Sequence, residues 1–168
     1  MGMVNEILLL EVRYGLKSIT RDVCDFLSCR GFPSRDKCMY LGTTDCHVVK
    51  LDLFKVKTIV LKYFKQIVEC YEDYVDYLCN KHPEFCNIFK NQSVDLRDVL
   101  KHCQSKGKLV NIGDELAFNI AKEGIEILHK QVKYKMIASL AKYRHKWSFQ
   151  IYDLYEVKKL LKSDEHDS

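Results

Sequence analysis

The sequence predicts an all-α fold, a single globular bundle of six or seven helices. Apolar residues recur at three- and four-residue steps through most of the 168 residues. The chain holds only 7 Gly and 2 Pro, whereas sandwiches and barrels need turn residues every few positions. Hydrophobic residues make up 47% and charged residues 30%, a balance that supplies a core and excludes a disordered chain. Residues 1–162 are expected to form one helical domain, and residues 163–168, a short run rich in Asp, Glu and Ser, a flexible acidic tail.

The first predicted helix carries Leu9, Val12, Leu16, Ile19, Val23, Phe26 and Leu27 on one stripe. Gly31 and Pro33 end it, because glycine caps and proline cannot continue. Residues 33–52 show no period and read as a long loop with a short ordered piece at 48–51. A second helix is predicted over 53–80, where Val56, Ile59, Val60, Phe64, Ile67, Val68, Tyr71, Val75 and Leu78 keep the period. His82-Pro83 interrupts it, and Pro83 starts a short helix with Phe85, Ile88 and Phe89. Ser93 reads as the cap of the next helix, with Leu96, Val99, Leu100 and Cys103, which stops near Gly107. Another starts near Gly113 and presents Leu116, Ala117, Ile120, Ala121, Ile127 and Leu128. Val132, Met136, Ile137 and Leu140 carry a further helix. Trp147-Ser148-Phe149 opens the last, with Ser148 as its cap, followed by Tyr152, Tyr155 and Leu160.

Net charge is +4, and no run of five or six Lys/Arg marks a nucleic-acid footprint. The longest apolar run, residues 7–10, is far below the roughly 20 residues that cross a bilayer. The expectation is a cytoplasmic protein, peripheral at mitochondria at most, with no integral membrane anchor and no nucleic-acid partner. The 8 Cys form no CxxC pair and read as reduced, buried hydrophobes. Glu69, Glu72, Asp73 and Asp76 share a helical face without a Glu-x-x-His, so they read as a solvated stripe rather than a metal site. Cys46/His47 and His102/Cys103 are the candidate nucleophilic pairs, but nothing orients them or supplies an oxyanion hole. No cofactor, metal or catalytic residue is expected.

The stretch Val110-Asn111-Ile112-Gly113-Asp114-Glu115-Leu116-Ala117-Phe118 resembles the first homology motif of the Bcl (B-cell-lymphoma-type) apoptosis regulators. Val110, Asn111, Gly113, Ala117 and Phe118 match it. Asp25-Phe26-Leu27-Ser28 resembles the family's fourth motif, and Trp147-Ser148-Phe149 with Tyr152 resembles its second. The resemblance implies a Bcl-like bundle whose hydrophobic surface groove accepts an amphipathic death-motif helix. By the same resemblance the groove is lined by Tyr71, Tyr74, Val75, Leu78, Phe85, Phe89, Leu96, Val99, Leu100, Val110 and Phe118, with Asn111, Gly113 and Asp114 at its centre. Two positions depart from the pattern. Asp114 replaces the family Arg that pairs with an Asp of the incoming helix, and Ile112 replaces the Trp.

The implied function is inhibition of apoptosis by a divergent viral member that sequesters pro-apoptotic helices without catalysis. Homodimerisation is one way to cover such a groove. The alternatives are a helical protein–protein adaptor that modulates a host without a groove, and a Cys/His-dependent enzyme.

Overall fold

A computed structural model describes residues 3–14 and 53–166. It shows a mixed α/β architecture in place of the expected all-α bundle. The elements are α1 (Met3–Tyr14), α2 (Leu53–Lys81), a 3-10 turn (Pro83–Phe85), α3 (Cys86–Asn91), β1 (Val94–Asp95), α4 (Leu96–Ser105), α5 (Asp114–Gln131), β2 (Ala138–Tyr143), β3 (Lys146–Ile151) and α6 (Leu154–His166). The strands form an antiparallel sheet in the order β1-β3-β2. The expected helix stop at Gly31, the loop at 33–52, Asp25-Phe26-Leu27-Ser28 and Cys46/His47 lie outside the described residues.

The chain divides into two compact units, Met1–Ile59 and Val60–Ser168. In the first, Leu10, Val56 and Ile59 are buried. The second holds the sheet. Its core takes Val60, Phe64, Ile67, Val68, Tyr71 and Val75 from α2, and Leu96, Val99, Leu100 and Cys103 from α4. Each fully buried large side chain contributes on the order of 1.5–3 kcal/mol relative to exposure. From α5, Leu116, Ala117, Ile120, Ala121, Gly124, Ile125 and Leu128 face inward. Ile125, rather than the expected Ile127, is the buried residue of that turn, because α5 packs against α2 through Gly124. A Cβ built on Gly124 would lie 2.5 Å from Phe64 Cγ.

Helix ends follow their capping chemistry. Asp95, not Ser93, caps α4: its Oδ1 accepts from the Arg97 backbone N–H at 3.0 Å. The helix closes in a Schellman motif, with Gly107 at φ 69°, Gly107 N–H donating to Gln104 O and Lys108 N–H to Cys103 O. Asp153 Oδ1 accepts from Glu156 N–H and starts α6.

Two expected helices are strands. Residues 138–143 form β2, and Trp147-Ser148-Phe149 lies in β3 rather than opening a helix. Trp147, Phe149 and Ile151 are buried while Lys146 is exposed and Ser148 and Gln150 are half-buried, a period of two. Apolar spacing from 132 to 140 fits a helix as well as a strand, and the left-handed turn at Tyr134 (φ 65°) breaks the helical option.

Four cysteines are paired, which corrects the expectation of reduced thiols. Cys70–Cys103 joins α2 to α4, and Cys79–Cys86 joins the end of α2 to α3. Disulfides restrict the unfolded chain more as the closed loop lengthens. The Cys70–Cys103 bridge spans 33 residues against 7 for Cys79–Cys86.

Two outcomes are expected. Gly124→Ala should lower stability by about 1–3 kcal/mol despite the better helix propensity of Ala, because Phe64 must move; a melting temperature equal to the parent's would remove the close-approach argument. Replacing Cys70 and Cys103 by Ser should cost roughly 2–4 kcal/mol in a denaturant melt, more than replacing Cys79 and Cys86.

Candidate functional site

The residues expected to line a groove are divided between the interior and the surface, and of them Leu100 and Val110 line one small pocket with Tyr63, Ile67 and Ile112. Tyr71, Val75, Leu96, Val99 and Leu100 are interior. Burial pushes the Tyr71 hydroxyl pKa up, opposed by a hydrogen bond with the Ile151 backbone, and its ring meets Phe149 edge-on at 5.3 Å. Tyr74, Leu78, Phe89 and Phe118 are half-buried, whereas Phe85 and Val110 are exposed. Phe118 packs on Trp147 at 5.2 Å. Asn111, Gly113 and Asp114 are exposed at the start of α5, and Asn111 Oδ1 accepts from Gly113 N–H, a turn that serves the helix entry. Apolar residues of α2, α4 and α5 instead make the core.

The His102/Cys103 pair has no thiol to use, because Cys103 is bonded to Cys70. His102 Nε2 lies 3.1 Å from Asp73 Oδ2, which Lys106 and Lys108 approach at 3.5 and 3.6 Å. Tyr74 and Tyr77 rings flank the imidazole. Burial raises the Asp73 pKa, but the His102 hydrogen bond with Lys106 and Lys108 outweighs it and holds the carboxyl below its ordinary value. This cluster edges a surface pocket lined by Glu69, Glu72, Asp76 and Lys158, with Glu72 bridged to Lys158 at 3.0 Å. Its charges are largely spent on one another.

The β2–β3 hairpin is different. Residues 127–152 contain six Lys/Arg, two His and no Asp or Glu. The signal was legible in the sequence as a missing charge type rather than a run of cations. The ladder pairs Ala138 with Ile151 through to Tyr143 with Lys146, leaving Arg144 and His145 as the turn. Arg144 sits at φ 56°, where a glycine would be unstrained, and its guanidinium lies 5.3 Å from the Tyr143 ring centroid. Tyr143 is 69% exposed. On the opposite face of the hairpin, Lys142 and Arg97 each lie 5.1 Å from the Trp147 ring centroid, and Arg97 also donates to the His145 carbonyl. Trp147 thereby holds the turn by cation–π contact. Lys142 is partly balanced by Glu115 at 3.3 Å, whereas Arg144, His145 and Lys146 project at the tip as exposed residues. A positive tip with an exposed aromatic ring can bind phosphate and stack on a base.

Among the described residues no group of three or more His, Cys, Asp or Glu is placed to hold a metal ion, and no helix is long and apolar enough to cross a membrane.

Asp73→Asn should destabilise the protein by under about 1 kcal/mol at neutral pH, since the carboxylate is a third exposed. Because its pKa is depressed in the folded state, its contribution is present above the ordinary aspartate pKa and is lost as pH falls through the folded one. The stability difference between parent and variant should therefore shrink below roughly pH 4; a difference that grows toward acid would contradict the ion-pair account.

Comparison of the chain with protein-family models, with curated proteins and with solved structures returned no match.

Proposed function

We propose that the Val60–Ser168 unit binds nucleic acid through its β2–β3 hairpin and has no catalytic role. The observation that carries this reading is the acid-free stretch 127–152, which contains an exposed turn bearing Tyr143, Arg144, His145 and Lys146. Phosphate neutralisation by Lys and Arg supplies most of the affinity in sequence-independent nucleic-acid binding. The order α4–loop–α5 followed by a hairpin is compatible with it. Helix-turn-helix proteins lay their second helix in the major groove. Here that helix carries Asp114, Glu115, Glu123 and Glu126, which phosphates repel, so the hairpin and not α5 is the contact. The reading departs from the sequence expectation of no nucleic-acid partner. An apoptotic role needed a surface groove between helices, and the interior positions of Tyr71, Val75, Leu96, Val99 and Leu100 give it no support.

Binding should be weak and salt-dependent, with a dissociation constant on the order of 10⁻⁴ to 10⁻⁶ M for any sequence at physiological salt. In fluorescence-anisotropy titrations at several salt concentrations, Arg144→Gly and Lys146→Ala should each flatten the log–log salt slope by about 1. Arg144→Gly should leave the melting temperature unchanged or higher, since glycine is unstrained at a positive φ. Binding that is salt-independent, or unchanged in both variants, would sink the reading.

A further inference from the structure

We propose that the nucleic acid taken by this hairpin is single-stranded, and that it runs along the outward face of β2 and β3 with Tyr143 and Tyr152 as stacking platforms at its two ends. The proposal rests on the nucleic-acid reading above and narrows it to one ligand class.

Alternation fixes which residues share the outward face. Trp147, Phe149 and Ile151 point to the core, so Lys146, Ser148 and Gln150 point away. Their ladder partners Tyr143, Ala141 and Ser139 join them. Tyr152 follows Ile151, and its hydroxyl lies 2.9 Å from Ser139 Oγ, which puts its ring on the same face. Tyr143 stands at the turn end and Tyr152 one step beyond the Ala138–Ile151 pair, 69% and 51% exposed. Six residue steps separate the two rows, about 20 Å at the rise of an antiparallel strand. Between them the floor is made of Ser139, Ala141, Ser148 and Gln150, which are short or polar.

This surface suits a single strand better than a duplex. A duplex turns its phosphates outward and keeps its bases paired, so two exposed rings on a flat floor gain nothing from it. A single strand offers base faces to aromatic rings and phosphates to the flanking cations, and known sites span about 4–16 nucleotides. Lys146 and Arg144 supply charge at the tip. At the base Lys135 is bridged to Asp153, and Lys133 is exposed beside it. Asp95 lies across from Ser148 and is held by the α4 cap.

The positive-φ residues other than glycine among the described ones are Arg144 at the turn and Tyr134 at the base of the hairpin. Tyr134 is fully exposed, so no core requires an aromatic ring there. A two-residue hairpin turn requires a positive φ at its first residue, so the conformation of Arg144 belongs to the turn itself.

The test uses the full chain in anisotropy titrations with a fluorescent oligo-dT of roughly 12 nucleotides and a mixed-sequence duplex of equal length. The single strand should bind more tightly. Tyr143→Ala and Tyr152→Ala should each weaken it by roughly 5- to 100-fold, a larger loss than either causes for the duplex. Tyr152→Phe, which keeps the ring and loses the hydroxyl contact with Ser139, should bind the single strand like the parent. Equal or tighter duplex binding overturns the proposal, as does single-strand binding that ignores both alanine variants. If Arg144→Gly and Lys146→Ala still weaken binding in that case, the hairpin reading survives without the single-strand claim. No binding to either oligonucleotide ends both.

Discussion

Phe149 stands at the centre of the second unit, fully buried on the middle strand, opposite Val94 on one side and Leu140 on the other, with the Tyr71 ring edge-on against it. Its burial commits the whole strand. Trp147 and Ile151 must follow it inward, and Lys146, Ser148 and Gln150 must face away. The same constraint that builds the core thus builds the outer face of the hairpin. A slip of one residue would bury Lys146 and expose the apolar trio, so the register is held by the hydrophobic effect and not by the turn, whose Arg144 is locally unfavourable.

Charge is segregated around this frame. Acids collect on α2, where Glu69, Glu72, Asp73 and Asp76 share a face, and on the exposed turns of α5. Lysines that reach those faces are engaged, as Lys106 and Lys108 are with Asp73, Lys158 with Glu72 and Lys142 with Glu115. The hairpin turn carries no acid of its own, and Lys142 at its root is paired with Glu115. A net charge of +4 conceals this arrangement. Local imbalance, not the total, creates a field that an anionic partner can use.

Several positions oppose their local preference. Gly124 weakens a helix interior yet lets α5 approach Phe64 more closely than any other side chain would. Cys70 and Cys103 clamp α2 to α4 beside the polar cluster around Asp73. Arg144 and Tyr134 hold left-handed conformations on exposed residues. The first two serve the fold. Arg144 takes the positive φ that the two-residue turn requires, and Tyr134 is fully exposed.

The sequence by itself determined the long helix α2, the interruption at Pro83, the stop at Gly107 and the start of α5 near Gly113, because caps, breakers and a sustained 3.6-residue period act locally. It also held the acid-free stretch 127–152, legible once absences are counted as well as runs. It did not determine that 138–151 is a hairpin. The apolar spacing there admits both periods, and the sheet wins only because Phe149 and its neighbours find Val94, Leu140 and Tyr71 to pack on. Nor did it decide that Tyr71, Val75, Leu96, Val99 and Leu100 lie in a core rather than a groove. An apolar stripe states that a face must be covered. Which element covers it, and therefore which residues remain for a partner, is settled by packing between segments distant in the chain.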